Sequence, residues 1–183
     1  MLFLVAILIG VVIGFLCRGR LAHIARLRLR WLWLVPLSLV IQLLIFPLFS
    51  EEPLLPYATA PLHLLSYALV GLWLIVNLRM IPLVVTGVGA LANFLVVAAN
   101  GGRMPASVTA LERAGLEHAA TQLSEHGVYA NGVLMGDATR FNVLGDWLYL
   151  PDRMPFATAL SIGDVMIMVG LIWLIARGMV ADD

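Results

Sequence analysis

The sequence predicts an all-α integral membrane protein: a five-helix transmembrane bundle with a long, partly helical extracytoplasmic loop between helices 4 and 5. Three observations predict it. Of 183 residues, 62% are hydrophobic and 12% charged, whereas a soluble domain carries about 25% charged residues. So little polar surface does not cover a water-soluble globule. The apolar residues also fall into five separate runs, and the arginines gather in the connections on one side of them.

The five runs are Leu2–Cys17, Trp31–Phe49, Pro61–Leu78, Ile81–Ala99 and Pro155–Ala176. Each is close to the roughly 20 residues that cross a hydrocarbon core. Backbone groups in lipid must be satisfied internally, so each run is expected to be helical. The first run has no basic residue ahead of it and arginines behind it, the reverse of a secretory signal. It reads as a retained first helix in a single membrane domain over residues 1–183. Gly10 and Gly14, four apart on that helix, are either a close-packing face or chance in an apolar segment. The lone Cys17 excludes an intrachain disulfide and a cysteine metal cluster.

Orientation follows from charge. All 11 basic residues are arginine. Arg18, Arg20, Arg26, Arg28 and Arg30 crowd the first connection, which the positive-inside rule makes cytoplasmic. The N-terminus is then outside and the C-terminus inside. Arg79 and Arg177 fall inside, and Ser50–Ala60, with Glu51 and Glu52, falls outside. Trp31 and Trp33 suit the inner interface; Tyr57, Trp147 and Tyr149 suit the outer one.

The outer loop, residues 100–154, is far longer than an ordinary connection and points to structure or function of its own. Thr109-Ala-Leu-Glu112 reads as a capping box opening a helix that runs to His126. Gly127 is placed to end it. Phe141 to Leu150 is too short to span and reads as an interfacial or re-entrant piece.

Polar residues gather in the outer halves of the helices. Asp164 lies about 12 Å below the outer end of the last run, counted from Phe156 at 1.5 Å per residue. A carboxylate at such a depth costs roughly 2.5–3.5 kcal/mol and needs a partner or a wet cavity. Asn93, Gln42, His63, Ser66 and Ser161 lie at comparable levels on other helices or one turn away. Gln42 and Ser66 read as interhelical hydrogen-bonding groups. Arg103, in Asn100-Gly-Gly-Arg-Met-Pro105, offers a fork suited to carboxylate or phosphate. Arg140, Asn142 and Asp146 lie in a second block, Thr139–Asp146. The candidate ligand-binding set is therefore His63, Asn93, Asn100, Arg103, Arg140, Asp146 and Asp164. The plainer alternative is a salt bridge from Arg103 or Arg140 to Asp146 or Asp164 that closes the loop on the bundle.

Three blocks carry a resemblance: Asn100-Gly101-Gly102-x-Met104-Pro105, Leu144-Gly145-Asp146 and Ser161-Ile162-Gly163-Asp164. Together, in this order, they resemble a family of small bacterial multi-pass membrane proteins catalogued only as a domain of unknown function. The resemblance implies a membrane fold and a bacterial plasma membrane, and implies no activity.

Sharper chemistries are absent from the sequence. It holds no phosphate loop, dinucleotide fingerprint, H-E-x-x-H or Cys/His metal pattern, and it names no cofactor. Only His63 lies in a predicted span, so haem ligation between two spans has no support. His118 and His126 read as solvated. No nucleic-acid signature is present, and the first-connection arginines read as topology and contact with anionic lipid. Three classes of function remain. One is a protein that binds a small polar solute or lipid headgroup in an outward-facing polar pocket. The others are a structural or accessory membrane subunit with no ligand, and a membrane enzyme using Asp146 or Asp164. The lipid bilayer is the one partner the sequence implies.

Overall fold

A computed structural model describes residues 2–46, 58–154 and 156–180. Glu51, Glu52, Tyr57 and Pro155, and the end of the second apolar run, lie outside the described residues. The described chain is mostly helical: besides a one-turn α2 (Leu21–Ile24), its long helices are α1 (Leu2–Leu16), α3 (Leu34–Ile45), α4 (Thr59–Val76), α5 (Ile81–Ala99) and α8 (Ile162–Met179). Three of these, α4, α5 and α8, are long and apolar enough to cross a membrane; α1 and α3 are shorter apolar helices.

The bundle is organised around α8, which packs most extensively on α5 and α1. Small residues allow both contacts. Ala6, Gly10 and Gly14 form the buried stripe of α1. A β-carbon on Gly10 would stand 3.0 Å from Ile175 Cβ, and one on Gly14 would collide with Met179. The glycine pair is thus a close-packing face. Across α8, Gly163 faces Asn93 and Gly89, and Gly170 faces Thr86 and Pro82. Helix α3 packs on α4, where Gln42 Nε2 donates to Ser66 Oγ at 3.1 Å. The apolar core joins Leu34, Trp73, Leu74, Leu83, Ala90 and Leu174.

One device recurs at two helix ends. Asn77 ends α4 and Asn100 ends α5. Each amide donates to its own helix four residues back, to Trp73 O and Val96 O. Each then pairs twice with the backbone of a distant arginine. Asn77 exchanges hydrogen bonds with Arg30 N and O at 2.9 and 3.0 Å. Asn100 does so with Arg140 N and O at 2.8 and 2.9 Å. An asparagine amide matches a peptide group in both donor and acceptor, so each latch ties a loop to a helix without charge.

The loop is not all-α, and here the expected fold class is corrected. It contains α6 (Val108–Arg113), α7 (Glu117–His126), a 3₁₀ turn at Asn142–Leu144 and four short strands, with a fifth between the loop and α8. Strands β1 (Met104–Ala106) and β3 (Gly132–Leu134) pair in parallel, and β2 (Val128–Tyr129) pairs antiparallel with β3. Strand β4 (Leu148–Leu150) pairs antiparallel with β5 (Thr158–Leu160). The expected single helix to His126 breaks at Gly115, whose φ of +73° suits glycine. Its N-cap is Ser107, not Thr109. Gly127, at φ 73°, ends α7 as expected. The start of the last helix also moves, from Pro155 to Ile162, because residues 158–160 are paired as β5.

Candidate functional site

The site is built where the loop meets the ends of α4, α5 and α8. Ser161 and Asp164 form a capping box at the start of α8: Asp164 N donates to Ser161 Oγ at 2.9 Å and Ser161 N to Asp164 Oδ2 at 3.0 Å. Such reciprocal bonds satisfy two helix-end donors that would otherwise lack partners. Asp164 is therefore in a first helical turn. The expected depth of about 12 Å, counted from Phe156, fails because α8 starts at Ile162. Asn93, buried on α5, closes the network. It donates to Asp164 Oδ1 at 2.8 Å and accepts from Ser161 Oγ at 2.9 Å.

His63 is buried near the start of α4, and its Nδ1 is bonded to Gly102 O at 2.8 Å. Gly102, at φ +87°, lies so close to Ala60 that a β-carbon would clash. Gly101 takes the left-handed turn before it, at φ +67°. The paired glycines thus turn the chain out of α5 and press it onto α4. His63 also packs against Phe46 and Tyr67, and Tyr67 against Phe94. Tyr67 belongs to the site because its ring packs on His63, with centroids 5.3 Å apart. Its place one turn beyond His63 was the available sequence signal.

Asp146 is held by its backbone. Its N–H donates to Pro105 O at 2.8 Å, and its carbonyl accepts from Ser107 N at 2.9 Å, bridging it to β1. Gly145 permits this, since a β-carbon there would meet Pro105 O at 2.6 Å. The side chain has no such support. Asp146 Oδ1 is buried and takes no hydrogen bond from any described group. Burial first, and then the negative charge of Asp164, push its carboxyl up to about 7. Desolvation and a like charge both disfavour the ionised form.

The remaining candidates lie at the edges. Arg103 Nη1 donates to Ala130 O at 2.9 Å, and its charge is felt at His63. Arg140 is exposed, and its backbone is taken by Asn100. Among the described residues neither arginine closes a salt bridge on Asp146 or Asp164. No group of three or more His, Cys, Asp or Glu side chains placed to hold a metal occurs among them either.

A family model described as a family of unknown function, DUF5317, matches residues 26–176. The chain belongs to the DUF5317 family. The match begins after α1 and ends inside α8, so it contains every residue of the site. No curated protein and no solved structure matches this DUF5317 chain significantly.

Most residues of the three sequence blocks have a structural task in this DUF5317 protein. Asn100 latches, the glycines permit close approach, and Met104 packs with Val96 and Val97. Asp164 caps α8 and clasps α5. Asp146 alone among their polar side chains keeps a buried oxygen without a partner.

Proposed function

We propose that this is a multi-pass protein of a bacterial plasma membrane, with five spans, its N-terminus outside and its C-terminus inside. Under its outer loop it binds a hydrogen-bond-donating or cationic group of a small polar solute or lipid headgroup. The unpartnered Asp146 Oδ1 carries this reading. A buried acceptor left without a donor costs about 1–3 kcal/mol, and such exceptions call for an explanation. A donor from a ligand removes that cost. His63, Tyr67, Asn93, Arg103 and Asp164 supply the polar surroundings, with Asn100 and Arg140 fixing the loop above.

Five spans are supported by the apolar side chains that α1 and α3 expose, including Leu4, Leu8, Val12, Leu39 and Val40. Short spans are accommodated by local thinning of the bilayer. Catalysis by an Asp146–Asp164 pair is less well supported, because both Asp164 oxygens are engaged by Asn93 and Ser161. A purely accessory role explains Asp164 and leaves Asp146 unexplained.

A high-resolution map of the full chain purified in native lipid tests the binding reading. Density within hydrogen-bonding distance of Asp146 Oδ1 is expected. An Asp146 side chain sealed against protein donors would overturn the proposal and favour the accessory role. Orientation is tested by cysteine labelling in a Cys17→Ser background, needed because Cys17 is exposed. Ser124→Cys should react with an impermeant reagent on intact cells and Arg26→Cys should not; the reverse pattern would put the site on the inner face.

A further inference from the structure

The end of the bundle opposite the loop holds a cavity of about 460 Å³, lined by His23, Arg26, Arg79 and Arg177 together with apolar residues such as Leu27 and Pro82. These four polar side chains come from three separate parts of the chain: the segment after α1, the α4–α5 turn and the last turn of α8. We propose that this cavity binds a phosphate-bearing anion, either the headgroup of an anionic phospholipid or a soluble phosphate compound.

Three observations carry the proposal. Seven of the chain's arginines lie in these inner segments, while every described acid lies between Glu112 and Asp164 in the loop or at the start of α8. No described carboxylate therefore neutralises the cavity. Asp182 and Asp183 follow α8 in sequence and lie outside the described residues. Second, no described group accepts a hydrogen bond from the guanidinium of Arg26, Arg79 or Arg177. Of the carbonyls at the end of α8, Met179 O already accepts from Arg20 N at 2.8 Å and is bonded to His23 Nδ1 at 2.9 Å. Third, guanidinium groups carry forked donors that match phosphate oxygens, and three of them converge on a space large enough for a headgroup. Scattered arginines that only set topology need not share a cavity.

Native mass spectrometry of the full chain in neutral detergent tests this, with phosphatidylglycerol, phosphatidylcholine and inorganic phosphate as probes. Phosphatidylglycerol is expected to be retained over phosphatidylcholine. The triple variant Arg26→Gln, Arg79→Gln, Arg177→Gln should lose about 100-fold in affinity, about fivefold for each basic contact. The matching Arg→Lys triple, which keeps the charge and loses the forked donors, should bind less tightly than the parent and more tightly than the Gln triple, and controls for folding. A control in the loop, Arg113→Gln with Arg153→Gln, should change nothing. Inorganic phosphate binding lost in the same triple variant assigns a soluble anion; phosphatidylglycerol binding alone assigns a lipid. The proposal is overturned if the Gln triple binds both probes as the parent does, or if the loop control loses as much. Binding that emerges only after Asp182→Asn and Asp183→Asn would also overturn it, by making the chain's own tail the occupant.

Discussion

Asp146→Asn is expected to stabilise the protein at pH 8 and to leave its stability near pH 4 unchanged. The Asp146 carboxyl sits at about 7 in the folded chain, against 3.8 for a free aspartate. The folded state thus holds a proton that the unfolded state has released. With the pKa raised on folding, the contribution is fully present below about 4 and is lost as pH rises through about 7. Above 7 the protein keeps a buried charge whose cost is on the order of a few kcal/mol. Asparagine has nearly the same shape and no charge to bury. Thermal unfolding in mild detergent from pH 4 to 8.5 should show the parent losing stability across this window and the variant flatter. A parent that gains stability from pH 4 to 7 would mean that the carboxylate has a donor in the protein. The same substitution removes the charge proposed to meet a cationic group and leaves only an amide oxygen as acceptor, so higher stability should come with weaker binding.

Asn93→Leu is expected to destabilise the protein strongly, by about 2–4 kcal/mol. Asn93 is 3% exposed and joins α5 to α8 through Asp164 and Ser161. Leucine leaves Asp164 Oδ1 and Ser161 Oγ without these partners. It also brings bulk where a β-carbon on Gly163 would already overlap the asparagine amide. Asp164→Leu loses the capping box in addition. The double variant should cost less than the sum of the two single changes, because both break one hydrogen-bonded unit. Unfolding measurements on the two single variants and the double variant check this. Strict additivity, or a cost for Asn93→Leu below about 0.5 kcal/mol, would show that α5 and α8 are held by their glycine contacts alone.

The parts of the fold legible in the sequence are those where one signal runs unbroken. Helix α5 has the bounds its apolar run predicts, and α4 lies within two residues of them. The same signal misleads at α8, because an apolar strand, Thr158–Leu160, leads directly into the helix. Hydrophobicity does not distinguish three residues of strand from another helical turn. The loop strands are two or three residues long, too short for alternation to register. Pro105 points away from a strand, yet β1 lies at a sheet edge, where the missing N–H is tolerated.

At the site, sequence depth brought the right helices together for partly the wrong reason. Asp164 meets Asn93 because it caps α8, not because it lies deep in a span. Asn100 and Arg140 are joined through backbone pairing, which side-chain type does not announce. The expected salt bridge failed for a related reason: Arg103 found a backbone carbonyl at Ala130. The one mark of Tyr67 in the sequence is its place one turn beyond His63, a weak signal for an aromatic residue in an apolar helix. That Asp146 lacks a partner is legible only in three dimensions.

The claim that Asp146 is a half-buried carboxyl whose Oδ1 awaits a donor is tested most directly by infrared difference spectroscopy. Parent and Asp146→Asn protein would be titrated in lipid from pH 4 to 9, reading the C=O stretch of a protonated carboxyl. A band that titrates near pH 7 and is missing from the variant is expected. A parent with no such band above pH 5, its Asp146 ionised throughout, would contradict it.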